Sequence, residues 1–185
     1  MTVVDFQTEA LGRLRARVAQ LGEANSDLVA FARSHTGAVQ QIHAAALAAM
    51  DADSFDHLVH VILDDWVDIL RVDAIGLGLV GHRPANGGTR VVAVDAVQVD
   101  LWRHLLPLGQ LRTVRQGATL FGPVAPLVRA EALIAVDPAA ASPGGMLALG
   151  SRQPHAFGDH YSGELLGFLG RVVSRMIARW MPHPS

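Results

Sequence analysis

EALIAVDPAAASPGGMLALGS, residues 131–151, is the stretch that decides the fold. EALIAVD (131–137) and GMLALGS (145–151) are short apolar runs of strand length, each bounded by turn residues. PAAASPG between them has loop chemistry, so the pair reads as an antiparallel hairpin. Upstream, AIGLGLV (74–80) and TRVVAVD (89–95) read as two more strands, with GHRPANGG as the hairpin loop joining them. ATLFGPV (118–124) is expected to hold a short strand. VDLWRHLLPLGQLRTVRQG (99–117) reads as one or two short helices broken at Pro107 and Gly109.

Helical periodicity takes over on both sides of this block. DADSFDHLVHVILDDWVDILRVD (51–73) places Leu58, Ile62, Trp66 and Ile69 on one face, with Asp53 or Ser54 as N-cap. Its opposite face carries Asp53, His57, His60, Asp64 and Asp68, a solvated polar stripe rather than a metal site. Residues 7 to about 50 follow a heptad, with Leu11, Val18, Asn25, Ala32 and Val39 at a, and Leu14, Leu21, Leu28, His35 and Ile42 at d. Such a seam predicts a parallel coiled-coil homodimer, and Asn25 is the kind of polar a residue that fixes register. The expected organisation is a long N-terminal helix over 1–50 and an α+β domain over 51–185. In that domain a mainly antiparallel sheet is covered on one face by both long helices.

The last helix, expected over residues 159–181, raises its own question. GELLGFLGRVVSRM (163–176) contains three glycines, each costing roughly 0.5–1 kcal/mol relative to alanine. At 100° per residue Gly163, Gly167, Gly170 and Ser174 form one narrow stripe beside a broad apolar face. The stripe predicts a close approach by another helix, and the alanine-rich segment 30–50 is the expected partner.

Composition excludes several functions. The chain of 185 residues has no cysteine and no lysine; all 15 basic residues are arginine. Thiolate nucleophiles, cysteine-ligated zinc, a Walker A lysine and a Schiff-base lysine are therefore impossible. A formal net charge of -2 argues against general nucleic-acid binding. No signal peptide or membrane span is visible, so a cytoplasmic protein is expected. No G-x-S-x-G, HExxH or carboxylate pair is present, and the expectation is no catalysis. His35, His43, His155 and His160 lack a partner motif for haem, and no cofactor or metal is expected.

GGMLALGSRQPHAF (144–157), a strand ending in Gly-Ser-Arg before a turn and a phenylalanine, resembles the last strand of GAF domains. More narrowly it is similar to the DUF484 family of bacterial GAF-like proteins. Residues 31–80, from FARSHTG to GLGLV, are similar to that family's helix-helix-strand segment. LRARVAQLGEANSDL (14–28) is similar to its leading coiled coil, and FGPV (121–124) to its mid-domain Gly-Pro. The resemblance implies a GAF-like sheet and a sensing or dimerisation module. It carries no established activity. Bilin attachment and sulfoxide reduction need cysteines, and the cyclic-nucleotide motif of GAF domains needs a lysine, so neither transfers.

If the domain holds a ligand, the pocket is expected on the sheet face away from the long helices, under residues 99–130. Trp102, Leu105, Phe121, Ile134 and Met146 would line it, with Arg112, Arg115, Arg152 and Tyr161 as polar groups. A guanidinium fork matches carboxylate or phosphate, so a small anion or an apolar acid is the expected ligand. The competing expectation makes the same residues ordinary core and surface. Two functions follow: a sensing module that signals to a separate output protein, or a ligand-free dimeric scaffold.

Overall fold

In the computed structural model, strand pairing assigns every strand residue to one of two faces. The structure describes residues 3–81, 90–105, 110–136, 144–157, 161 and 163–180, with side-chain surroundings from residue 9 onward except at 103 and 105. β1 (Ala74–Val80), β2 (Val92–Val94), β3 (Gln110–Thr113), β4 (Ala130–Val136) and β5 (Gly145–Ser151) form one mixed sheet in the order β2-β1-β5-β4-β3. β4 and β5 pair antiparallel with Ile134 opposite Leu147 and Leu133 opposite Ala148. Because side chains alternate, Ala132, Ile134 and Val136 share a face with Leu147 and Leu149, and Glu131 and Leu133 share the other with Met146 and Ala148.

The chain divides into two units, residues 1–37 and 38–185. One helix, α1 (Val3–Met50), runs through the boundary. Within the second unit, Ala38, Ile42, Ala45, Ala46 and Ala49 belong to the main hydrophobic core. The domain therefore begins about thirteen residues before the expected boundary at 51, because the alanine-rich end of α1 is core material rather than arm. Ile42, expected on the dimer seam, is fully buried in the domain's own core.

A second helical rod supplies the next layer. It comprises α2 (Phe55–His60), a π-helical stretch (Val61–Asp65) and α3 (Trp66–Leu70). Ser54 caps its start by accepting from the His57 amide at 3.1 Å. The wider π turn lets Leu58, Ile62, Trp66 and Leu70 all reach the core. Trp66 is fully buried, and its indole N–H donates to the Ala45 carbonyl at 2.9 Å, tying the rod to α1. Arg71 ends the rod in the left-handed region, with φ 54°. α5 (Gly163–Trp180) completes the layer, burying Leu166, Leu169, Val173 and Ile177 over the sheet.

Several expected elements differ. β2 pairs with β1 in parallel, Gly78 opposite Val92, so these strands do not form a hairpin. Arg90, two residues before β2, donates to both carboxylate oxygens of Asp64 in the π turn, which holds the entrance of β2 beside the helical rod. The hairpin loops at 82–89 and 138–143, and the break at Pro107 and Gly109, lie outside the described residues. The connection 99–117 is helix only in its first part, α4 (Ala96–Leu105); its second part supplies β3, which closes the sheet on β4. ATLFGPV is not a strand. It begins a 3-10 segment, Thr119–Leu127, because Pro123 and Pro126 lack amide donors and Gly122 turns the chain at φ 55°.

One member of the α5 glycine stripe, Gly170, has a different partner from the expected helix. A Cβ on Gly170 would lie 2.7 Å from Ile134 Cγ2 and 2.9 Å from the Ala135 carbonyl oxygen. Gly170 thus lets α5 cross directly over β4, and the close approach is helix to sheet rather than helix to helix. Ser174 is buried beside it, its hydroxyl donating to the Gly170 carbonyl at 2.6 Å, while Gly163 and Gly167 are half-buried. Gly170→Ala is expected to destabilise the protein by about 1–3 kcal/mol in urea unfolding despite alanine's better helix propensity. A gain in stability would show that α5 does not depend on this contact.

Candidate functional site

The sheet face away from the helices is paved with small residues. Ala74, Gly76 and Gly78 of β1 face outward there, beside Met146, Ala148 and Gly150 of β5. Residues 117–128 lie directly on this floor. A Cβ on Gly76 would come within 2.5 Å of the Leu120 carbonyl oxygen, so only glycine admits the segment at this depth. Leu120, Phe121, Ala125 and Val128 are buried against Leu133, Met146 and Ala148 in a second hydrophobic cluster, with Val94, Trp102, Val114 and Ala118 packed around it.

Polar contacts fasten the segment. Glu131 is completely buried on the same face. Its Oε2 accepts from the Ala118 amide at 2.7 Å, and its Oε1 accepts from Arg112 Nε at 2.6 Å. β3 brings Arg112 directly opposite Glu131, so the sheet register itself makes the pair. Gly117 N–H donates to the Ala125 carbonyl at 2.9 Å and closes the segment into a loop. Arg129 Nη1 reaches the carbonyls of Arg115, Pro126 and Val128 from outside.

The residues expected to form a pocket are therefore divided. Trp102, Phe121 and Met146 do meet on this face, but as packed core. Ile134 lies on the opposite face under α5, since its strand parity differs from that of Met146. Tyr161 is also on the helix side: its hydroxyl donates to Gln41 Oε1 at 2.6 Å and sits 3.2 Å from the Leu70 carbonyl, and burial pushes its pKa up. Arg115 is exposed. The Leu105 side chain and His160 lie outside the described residues.

Arg152 sits at the end of β5 in a different constellation. Its amide donates to Asp73 Oδ2 at 2.8 Å, and the Ser151 hydroxyl donates to the same oxygen at 2.9 Å. The Arg152 amide bond is the main reason the Asp73 carboxyl is held below the usual carboxylate range, with Ser151 adding to it against partial burial. This bracket is what the Gly-Ser-Arg turn does: it ties the end of β5 to the entrance of β1.

The openings lined by described residues include two that bear on function. One, of about 210 Å³, lies at the edge of β3 and is lined by Leu111, Arg112, Thr113, Pro154, His155 and Phe157. The other, of about 190 Å³, lies between the end of α1 and α5. On the polar side of the helical rod, His57 Nδ1 meets Asp53 at 2.9 Å and His60 Nδ1 meets Asp64 at 2.8 Å. Asp64 is held below its ordinary pKa chiefly by Arg90. No group of three or more His, Asp or Glu suited to a metal occurs among the described residues.

The sequence reading missed Glu131 and Asp73. Strand alternation marks Glu131 as a carboxylate on the same face as Leu133, but only the register of β3 names its partner. Phe121→Ala is expected to cost about 3–5 kcal/mol and to leave a dry cavity on the sheet floor. Binding of a small aromatic such as indole by the variant, and not by the unsubstituted protein, would register in thermal shift. Indole binding by the unsubstituted protein would show that this face is already open.

The family model described as "Protein of unknown function, DUF484" matches residues 1–182. No curated protein matches the chain.

Proposed function

The chain belongs to the DUF484 family, and on that premise we propose that it is a non-catalytic, GAF-like regulatory module acting as a parallel homodimer in the cytoplasm. The observation that carries this reading is the seam on the first part of α1. Leu11, Leu14, Val18, Leu21 and Leu28 are all exposed, Leu14 by 60% and Leu28 by 67%. Five large apolar residues at heptad spacing have a use when a second helix covers them. Asn25 lies on the same seam and would set the register.

The packed sheet floor supports a scaffold more than a deep-pocket sensor, because Leu120 and Phe121 occupy the space a ligand would need. A second reading, sensing of a small anion or apolar acid, draws support from the edge cavity, where Arg112 is about half exposed beside His155 and Phe157. Either reading calls for a partner protein that receives the signal or is held by the scaffold.

Sedimentation velocity tests the first reading. Leu14→Lys, Leu21→Lys and Leu28→Lys together should convert a dimer to a monomer while leaving the far-UV spectrum of the domain nearly unchanged. A wild-type monomer, or a dimer that survives the triple change, would sink it. For the second reading, inorganic phosphate and benzoate should raise the melting temperature of the wild-type protein and not of Arg112→Met compared with its own unliganded state. Equal shifts in both proteins would remove the edge cavity from consideration.

A further inference from the structure

The opening between α1 and α5 combines an apolar floor with positive charge at its rim. Met50, Phe168, Val172 and Met176 line it, and Arg171 and Arg175 stand one turn apart on its rim. Leu47, one turn before Met50, is 62% exposed, and Met50 itself is 49% exposed. Phe168 is held against α1 by an edge-on contact with His43, ring centroids 6.2 Å apart. Phe168 is half-buried, and Val172 and Met176, one and two turns further along α5, are buried core residues that close the floor, so the exposed apolar area of the groove comes from Leu47, Met50 and Phe168.

The arginines set the chemistry of the occupant. Arg13, Arg90, Arg112 and Arg152 each meet a carboxylate of this chain. Arg171 and Arg175, like Arg15, Arg17, Arg33, Arg71, Arg115 and Arg179, meet none among the described residues, but they are the two that stand on the rim of an apolar opening. Aromatic, methionine and arginine side chains together are the composition of protein-binding surfaces. A groove between two helices, with Leu47 and Met50 exposed on one wall and Phe168 on the other, accepts the apolar face of a third helix with anchors at i, i+4 and i+7.

We propose that this groove docks an acidic amphipathic helix of a partner protein, its apolar face on Leu47, Met50 and Phe168 and its carboxylates on Arg171 and Arg175. The proposal rests on the reading that calls for a partner protein, and it supplies that partner's chemistry. A second copy of this chain is the less suitable occupant. A two-fold contact sets the same patch against itself, crowding four guanidinium groups, and Glu164 is the one exposed acid on the α5 stripe.

Selection of 16-residue peptides from a random display library against the full-length protein tests this. The expected result is enrichment of sequences with apolar residues at i, i+4 and i+7 flanked by Asp or Glu. Synthetic versions should bind in fluorescence anisotropy with strong salt dependence. Arg171→Glu with Arg175→Glu should weaken them tenfold or more, whereas Arg171→Lys with Arg175→Lys should lose at most a few-fold. Both arginines are exposed, so these variants should keep the wild-type circular dichroism and melting temperature. No enrichment, enrichment without acidic residues, or equal binding by the charge-reversed protein would overturn the proposal. So would sedimentation showing that charge reversal changes the oligomeric state, which would assign the groove to a second copy. The seam variants Leu14→Lys, Leu21→Lys and Leu28→Lys should bind the peptides like the wild type, so loss of the arm dimer and loss of docking are read separately.

Discussion

The contact on which the domain depends is the seating of residues 117–128 on the glycine and alanine floor of β1 and β5. An α+β domain with helices on one face leaves its other sheet face to be covered. Here the chain covers it with its own 3-10 segment, at a depth set by the Leu120 carbonyl over Gly76. The buried Glu131 then becomes useful. Its carboxylate satisfies the Ala118 amide at the start of the segment and binds Arg112 from the edge strand. A buried carboxylate is tolerated only when its charge and lone pairs are met, so the segment, β3 and β4 are linked through one side chain.

The opposite face follows a different logic. It holds the larger core, built from α5, the helical rod and the alanine-rich end of α1. Small residues again set the spacing. Gly170 brings α5 onto β4, and the alanines of α1 leave room for Trp66, whose indole N–H finds the Ala45 carbonyl. The loss of helix propensity at Gly170 is offset by dispersion contacts along the rest of α5. In this chain glycine and alanine define where layers touch, and the bulky residues fill what remains.

These two closures shape the functional reading. With both sheet faces packed, the exposed apolar side chains lie on the seam of α1, beside α5, on α4 at Val97 and Leu101, and on the outer side of the 3-10 segment at Val124 and Leu127. At the edge cavity of β3, an edge strand leaves side chains of both parities, Leu111 with Arg112 and Thr113, within reach of one opening.

Periodicity made much of this legible from the sequence. The heptads of α1, the amphipathic faces of the helical rod and α5, and the strands β1, β4 and β5 all follow from residue spacing, as does the α+β class. Local chemistry was sufficient there because burial on one face repeats at 3.6 or 2 residues. What the tertiary structure decided were the matters of partnership. That β2 runs parallel to β1, with Arg90 just before it reaching Asp64 far back in the chain, is a long-range pairing that local spacing does not specify. Whether Ile134 or Met146 faces a pocket depends on which face the helices take, and alternation alone names two faces without saying which is covered. Gly170 signals a close approach, but a glycine has no side chain with which to specify its neighbour. Glu131 and Arg112 lie nineteen residues apart, and only the register of β3 against β4 sets them opposite each other. Sequence spacing fixes the long periodic elements, though not β3 or the 3-10 segment; long-range packing fixes what each element meets, because that choice is made by the shape and charge of surfaces the chain brings together only on folding.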